Sequence, residues 1–196
     1  MKQLFPPRLS HNKMFHTMRV LVKESLDKQT REILNISKDE LLEKLKSDYG
    51  YHEVITGFDH NTIIRVYFDI DDIKDVLEDL IKRLCEYFSC EKHDWAISCG
   101  SREGKVSYHI LSRKYSISIK NLRNIQKELG KEFRGIDTTC LYFSMIDASE
   151  CVYLRFPNQS KDGVNKPAPP MKIIQGEMED FLITEFTNLT PFVIPS

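Results

Sequence analysis

The chain has 196 residues, of which 41% are hydrophobic and 29% are charged, and its formal net charge is -1. These values are typical of one soluble globular domain. The near-neutral charge excludes strong nonspecific attraction to nucleic acid through overall charge, so any polyanion site must be a local cluster of Lys and Arg. No apolar run is long enough to span a bilayer, and the N-terminus lacks the apolar core of a signal peptide. We therefore expect no membrane partner.

The chain carries five cysteines, an odd number, and no two of them form a C-x-x-C pair. This usage favours reduced thiols in an intracellular, reducing compartment. The spacing does not match a structural zinc site, so no zinc is predicted in this chain. The cysteines are Cys85, Cys90, Cys99, Cys140 and Cys151.

The N-terminal part of the chain predicts an arm and then a helix. Residues 1–20 mix prolines and basic residues with few apolar anchors, so we expect an extended arm, followed by a strand or the start of a helix at 18–22. Ser37 and Glu40 have the spacing of a capping box. That spacing predicts a helix that begins at this point and ends near residues 49–50.

A β-branched and aromatic run at residues 63–70 predicts a buried strand that carries Asp69 and Asp71 near its end. Residues two apart on a strand point to the same face, so the two carboxylates project together. Unpaired carboxylates on a buried strand are costly, and a divalent, oxygen-seeking cation such as Mg²⁺ or Mn²⁺ would relieve that cost. The alternative is structural, with Asp71 or Asp72 capping a helix that begins near residue 73.

Helical spacing of apolar residues predicts a helix over 73–88, and a hairpin follows whose second strand is 105–111. Alternation along that strand places Lys105, Ser107 and His109 on one face. An ammonium, a hydroxyl and an imidazole in one row suit a triphosphate ligand. The same row is equally compatible with an exposed sheet face that carries ordinary polar residues.

The next elements bring two further acidic candidates. A helix is predicted over 122–133 and ends at Gly135, and a strand over 136–143 carries Asp137 near its start. The polar loop after that strand contains Asp147.

A returning strand at 151–156 carries Arg155, and the turn-rich segment after it contains Lys161. Both residues either extend a phosphate-binding surface or are plain surface charges. Beyond a Pro-rich connector, residues 177–186 suit a short helix, and the apolar tail 190–195 suits an edge strand or a lead toward another domain.

Three motifs in this order resemble the archaeo-eukaryotic primase superfamily. They are D-x-D on a strand, K-x-S-x-H on a hairpin strand, and an acidic strand followed by L-R-F-P-N-Q-S-K, and they span about residues 63–163. The resemblance is closest to the primase part of primase-helicases of large DNA viruses, to herpesvirus primases and to the eukaryotic primase-polymerase. It implies an α+β primase fold, in which an RRM-like antiparallel sheet with helices is joined to a smaller N-terminal α/β unit.

The same resemblance implies a single catalytic domain over 1–196. Its N-terminal unit would cover about 1–60 and its RRM-like core about 61–165, with 166–196 as a C-terminal extension or linker.

The resemblance also implies roles for individual residues. Asp69 and Asp71 resemble the family's metal-binding pair, which holds two divalent ions, Mg²⁺ or Mn²⁺. Asp137 fits the third carboxylate, with Asp147 as the alternative. The residues that resemble the contacts to the triphosphate of the incoming nucleotide are Lys105, Ser107, His109, Arg155 and Lys161.

The implied activity is template-directed nucleotidyl transfer that makes or extends primers on single-stranded DNA during replication. Single-stranded DNA and nucleoside triphosphates are the implied partners. No G-x-x-x-x-G-K-[ST] loop occurs in the sequence, so a helicase domain or subunit is expected outside this chain. If the protein is viral, the implied compartment is the host cytoplasm or nucleus.

Two other functions remain open from the sequence. One is a non-catalytic, RRM-like module that binds single-stranded nucleic acid, which would need aromatic side chains on the sheet face. The other is a metal-dependent nuclease that uses the same carboxylates.

Overall fold

The computed structural model describes residues 17–23, 31–56, 60–141, 151–160 and 170–195. The N-terminal arm as far as residue 16, Asp147 and Lys161 lie outside the described residues.

The described residues form an α+β structure with two sheets and three α-helices. The strands are β1 (Thr17–Lys23), β2 (Arg31–Ser37), β3 (His52–Thr56), β4 (Ile63–Asp72), β5 (Trp95–Cys99), β6 (Val106–Ser118), β7 (Cys151–Arg155), β8 (Lys172–Gln175) and β9 (Thr190–Pro191). The helices are α1 (Lys38–Lys44), α2 (Leu77–Phe88) and α3 (Ile119–Leu129), and short 3₁₀ turns occur at Lys92–Asp94 and Met178–Phe181. No helix among these residues is long and apolar enough to cross a membrane.

The first sheet has the antiparallel strand order β2-β1-β3-β7. Alternate residues of β1, Met18, Val20 and Val22, are buried and pack in one cluster with Leu41 and Leu45 from α1 and its C-terminal end. This alternation is the period of a strand with one buried face. The first sheet therefore has its own small core beneath α1.

The second sheet has the strand order β4-β6-β5-β8, and β9 runs parallel to the far end of β6. On the other edge of β4, Ile136 forms an isolated antiparallel bridge with Ile70. In chain order these elements run strand, helix, strand, strand, helix and bridging segment, which is the connectivity of a split β-α-β unit. The larger core lies in this part of the molecule.

Helix α2 covers one face of the second sheet. Its buried residues, Leu80, Ile81, Leu84 and Phe88, recur at helical spacing. The Phe88 ring packs against Trp95 and Phe68 of the sheet, with ring centroids 5.4 and 6.2 Å apart. Burying each large apolar side chain contributes about 1.5–3 kcal/mol, so this face of the sheet is the structural one. The opposite face carries polar residues together with the buried side chains of Tyr67, Leu111 and Ala96.

Several predicted elements are confirmed with changed bounds. The capping box is present, since the backbone N–H of Glu40 donates to Ser37 Oγ at 3.2 Å, but α1 ends at Lys44. Residues 18–22 belong to a strand, and the tail forms the short edge strand β9. Helix α3 begins earlier than predicted because Ser118 caps it, and it ends at Leu129 with Gly130 as its C-cap, before Gly135.

Two predictions of secondary structure are wrong. The expected strand over 136–143 is only a bridge at Ile136, and a turn covers residues 138–141. The expected helix over 177–186 is a single 3₁₀ turn at Met178–Phe181. In the first place the Thr139 N–H donates to the Asp137 carboxylate, and this local bond competes with regular structure. In the second the Glu177 N–H donates to Asp180 as in a capping box, but the backbone is already extended at Leu182.

The C-terminal segment, residues 170–195, packs onto the rest of the molecule. Strand β8 extends the second sheet beyond β5, and the side chains of Phe181, Leu182 and Ile183 are buried. Two buried charged residues hold the segment. Arg65 Nε donates to the Leu182 carbonyl at 2.7 Å, and the Glu53 carboxylate accepts the Ile183 N–H at 2.7 Å.

Candidate functional site

The two carboxylates of β4 share a face with the polar row of β6. The antiparallel register pairs Asp69 with His109 and Asp71 with Ser107. Directly paired residues of an antiparallel ladder lie on the same face. Lys105 also reaches this face, because its Nζ lies 3.1 Å from Asp71 Oδ2. The shared face that alternation predicted is therefore present.

His109 lies deepest in the polar row. Its side chain is mostly buried, and Nε2 lies 3.7 Å from Asp69 Oδ1. The edge of its ring meets the Tyr67 ring, with centroids 5.8 Å apart. On the neighbouring strand β5, the buried Ser98 pairs with His109. The imidazole is thus fixed between a carboxylate and an aromatic ring.

The bridge at the edge of β4 brings a third carboxylate to this face. The Asp137 N–H donates to the Asp69 carbonyl, and the Asp71 N–H donates to the Gly135 carbonyl, both at 2.8 Å. Asp137 therefore stands directly opposite Asp69. Its Oδ1 accepts from the backbone N–H and the hydroxyl of Thr139, each at 2.7 Å, which fixes the carboxylate's orientation. The rival carboxylate, Asp147, lies outside the described residues.

Gly135 is a position where only a glycine fits the bridge. A Cβ atom there would stand 2.9 Å from Asp72 Cβ and 3.2 Å from the Asp71 carbonyl oxygen, so the β4 backbone or the bridging segment would have to move. We expect Gly135→Ala to destabilise the protein by about 1–3 kcal/mol, because overpacking at a buried backbone contact costs that much. Urea unfolding measures this change. Wild-type stability in the variant would show that the bridge does not fix the Asp137 segment.

Arg155 enters the site from the first sheet. Arg155 is paired with His52 across strands β7 and β3 of the first sheet. Its guanidinium reaches Gly100, at the turn between β5 and β6 of the second sheet, where Nη2 would be 3.7 Å from a Cβ atom built on that glycine. Burial lowers the pKa of the Arg155 guanidinium, and the negative charges of Asp69 and Asp71 oppose that shift. The guanidinium therefore lies in the field of the β4 carboxylates, although it comes from the other sheet.

The segment after Arg155 is held by a glutamine whose role the sequence did not indicate. The Gln159 side chain is fully buried. Its Oε1 accepts the N–H groups of Tyr49 at 3.0 Å and Tyr51 at 3.3 Å, and its Nε2 donates to the carbonyls of Ser47 at 2.9 Å and Leu45 at 3.4 Å. Gln159 therefore ties the chain after Arg155 to the loop that follows α1. A glutamine in a turn-rich segment carries no signal for this role.

A carboxylate in that loop strengthens the same connection. Burial alone would raise the pKa of the Asp48 carboxyl, but the net shift is downward. The carboxylate accepts hydrogen bonds from the Ser160 hydroxyl, the Ser160 N–H and the Gly50 N–H, and the positive charge of Arg155 adds to their effect. Arg155 is thereby flanked by acidic groups from strand β4 and from the loop after α1.

Tyr67 is a second residue that the sequence interpretation missed, because it was counted only as part of an apolar strand. Two residues before Asp69, it points to the same face as the carboxylates. Its side chain is buried, and its hydroxyl has no hydrogen-bond partner among the described residues. Burial, and then the charge of Asp69, raises the pKa of the Tyr67 hydroxyl well above its usual value. The alternation of β4 was the available signal.

The carboxylate set fits a divalent cation by its chemistry, since all three side chains offer only oxygen ligands. Asp71 bonds Lys105, and Asp137 Oδ1 bonds Thr139. No group of three or more His, Cys, Asp or Glu side chains in the described part of the chain has the arrangement of an assembled metal site.

No protein-family model and no curated protein matches this chain. A functional assignment therefore depends on the residues of this face. They are Asp69, Asp71, Asp137, Lys105, Ser107, His109 and Arg155.

Proposed function

We propose that the chain is a template-directed nucleotidyl transferase of the primase or primase-polymerase kind, which makes or extends primers on single-stranded DNA in replication. Its main support is one observation. Three acidic residues from two separate backbone segments lie on one face of the second sheet, together with a lysine, a histidine and a serine hydroxyl. An arginine from the first sheet lies in the field of these carboxylates. Anionic groups beside cationic groups suit a reaction that handles a metal-bound triphosphate.

The fold is compatible with the same proposal. The split β-α-β connectivity and the edge order bridge-β4-β6-β5 suit an RRM-like core, with the first sheet as the smaller unit beside it. The carboxylates lie on the sheet face opposite α2, and Arg155 approaches that face from the first sheet. Archaeo-eukaryotic primase membership, which the motif order suggests, is part of this proposal.

Within the proposed site, Asp69, Asp71 and Asp137 would hold the divalent ions, Mg²⁺ or Mn²⁺. Bound ions would lower the pKa of the primer 3′-hydroxyl and offset charge on the α-phosphate. The chain's own cations have a separate role, which is to neutralise the outer phosphates of the nucleotide. Arg155 suits this role best, because a guanidinium is always charged and contacts phosphate through two parallel hydrogen bonds.

Lys105 and His109 contact the carboxylates in this structure, at 3.1 and 3.7 Å. Both are therefore within reach of the acidic groups and of any phosphate that approaches them. Ser107, paired with Asp71, adds a neutral hydroxyl donor in the same row. Cations and a donor beside the carboxylate row would orient a triphosphate along it.

The proposed partners follow from this chemistry. They are a single-stranded DNA template, nucleoside triphosphates, and a helicase domain or subunit outside this chain. The proposed location is an intracellular, reducing compartment.

Primer extension tests the proposed function. The wild-type chain, with a primed single-stranded template, deoxynucleoside or nucleoside triphosphates and Mn²⁺, is expected to lengthen the primer, and EDTA is expected to stop the reaction. A parallel reaction without nucleotides detects a nuclease, which would release fragments from the labelled DNA. Binding of single-stranded DNA that survives EDTA, without incorporation, would indicate the non-catalytic module and reject the polymerase.

A further inference from the structure

The hydroxyl of Tyr67 is an anomaly in a well-packed core. The side chain is 1% exposed, and the hydroxyl oxygen has no hydrogen-bond partner among the described residues. An unpaired buried hydroxyl lowers the folding equilibrium roughly 5- to 150-fold, and buried tyrosines usually find a partner. A phenylalanine would fill the same volume without that loss. The hydroxyl therefore needs an explanation other than packing.

The surroundings of Tyr67 place this hydroxyl at the candidate site. Alternation along β4 puts it on the face of Asp69 and Asp71, and its ring meets the edge of His109. After burial, the charges that raise its pKa are those of Asp69, Cys140, Asp137 and Asp71. The Tyr67 phenol also acts on Arg155: burial lowers the pKa of the Arg155 guanidinium, and Tyr67 is one of the groups that raise it. A phenol oxygen can accept a hydrogen bond as well as donate one.

A tyrosine on the opposite face of the same sheet shows the usual arrangement. Tyr108 is paired with Ile70 across β4 and β6, and its hydroxyl donates to Asp75 Oδ2 at 3.3 Å. Tyr108 therefore completes its hydrogen bond within the protein. The contrast between the two tyrosines is that Tyr67 has no such partner among the described residues, so its hydroxyl can take one that binds at the site.

We propose that Tyr67 is a positioning residue of the cation site: its hydroxyl oxygen accepts a hydrogen bond from a water molecule that enters bound to the divalent ion held by the neighbouring carboxylates. This inference rests on the proposed function, because it takes Asp69, Asp71 and Asp137 as the ion's ligands. Bound ions of this kind usually keep several waters, and these waters donate hydrogen bonds to acceptors around them. A buried phenol without a partner beside three carboxylates meets that need.

Tyr67→Phe separates this role from packing, because its two effects have opposite signs. Without metal, urea unfolding should show a folding equilibrium that is more favourable by roughly fivefold or more, since the unpaired group is removed. Calorimetric titration with Mn²⁺ alone should show an affinity lowered roughly 3- to 10-fold, the effect of one lost hydrogen bond. Tyr108→Phe is the matched control: it should be slightly less stable than wild type and bind Mn²⁺ as wild type does.

The outcomes distinguish this inference from the proposed function. A wild-type chain that binds no Mn²⁺ would reject the cation site and, with it, both proposals. Mn²⁺ binding to wild type and to Tyr67→Phe with equal affinity would overturn the role of Tyr67 alone. A Tyr67→Phe variant that is less stable than wild type would also overturn it, since the hydroxyl would then have a partner in the metal-free protein.

Discussion

Asn in place of Asp69 or of Asp71 is expected to lower the rate of nucleotide incorporation by about 10³-fold or more. The substitution keeps the size of the side chain and removes the charge that would hold a divalent ion. Such ions stabilise the transition state by several kcal/mol, and each loss of about 1.4 kcal/mol slows the reaction tenfold. The stability of the Asp71→Asn variant should change little, since the Lys105–Asp71 pair is exposed and such pairs contribute about 0–1 kcal/mol. Single-turnover primer extension with saturating Mn²⁺ measures the rate.

Asp72→Asn is the matched control for these variants. Asp72 is the next residue of β4, so its side chain leaves the opposite face, and its Oδ1 accepts the N–H groups of Ile73 at 2.6 Å and Lys74 at 3.2 Å. We expect this variant to incorporate nucleotide at nearly the wild-type rate. If all three variants lose activity equally, a general effect of charge is responsible. If Asp69→Asn and Asp71→Asn extend primers as well as wild type, the carboxylates have no catalytic role.

The period of a strand was enough to predict which side chains share the candidate face. Asp69 and Asp71 are two residues apart, as are Ser107 and His109, and antiparallel pairing then matches the two strands side by side. The prediction needed only local alternation and a hairpin. Tyr67 belongs to the same alternation and could have been found by the same reasoning.

The position of Asp137 was predicted for a reason that is only partly right. A strand over 136–143 was expected, with Asp137 near its start, yet the Thr139 N–H and hydroxyl donate to the Asp137 carboxylate and a turn covers residues 138–141. Such local bonds compete with ladder pairing. One bridge at Ile136 is nevertheless enough to bring Asp137 beside Asp69.

Contacts between residues far apart in sequence could not be predicted from patterns. Gln159 bonds the backbone of residues 45–51, more than a hundred positions earlier, and Glu53 bonds Thr184 across 131 positions. Periodicity describes one element at a time and contains no information on which distant element lies beside it. The approach of Arg155 to the β4 carboxylates is of this kind, and only the motif resemblance suggested it.

Glu53→Ala is expected to destabilise the protein by about 3–5 kcal/mol, the cost of breaking a buried charged network by removing one member. The Glu53 carboxylate is buried and accepts the N–H groups of Ile183 and Thr184, both at 2.7 Å, and the Thr184 hydroxyl at 2.5 Å. Nearby, Arg65 donates to the carbonyls of Leu182 at 2.7 Å and Ser112 at 2.6 Å. Urea unfolding measures the loss, and proteolysis of residues 170–195 should become faster.

Glu179→Ala is the control, because Glu179 lies on the same C-terminal segment but forms an exposed ion pair with Lys38 at 2.9 Å. Its removal should cost less than about 1 kcal/mol. An equal loss in both variants would show that the segment responds to any change, and a Glu53→Ala variant of wild-type stability would show that the buried network does not hold it.

The pH dependence of the Glu53→Gln variant gives a second, independent measurement of the same network. Burial raises the pKa of the Glu53 carboxyl and outweighs the hydrogen bonds and the charge of Arg65, which lower it. The carboxyl group therefore stays protonated to a higher pH in the folded protein than in the unfolded chain. The resulting stability is complete below the unfolded value of about 4.3 and falls as the pH rises through the raised value. Gln does not titrate, so the stability advantage of wild type over Glu53→Gln should shrink as the pH rises across that window. An advantage that grows with pH would mean that Arg65 and the three donors dominate and keep Glu53 ionised when buried.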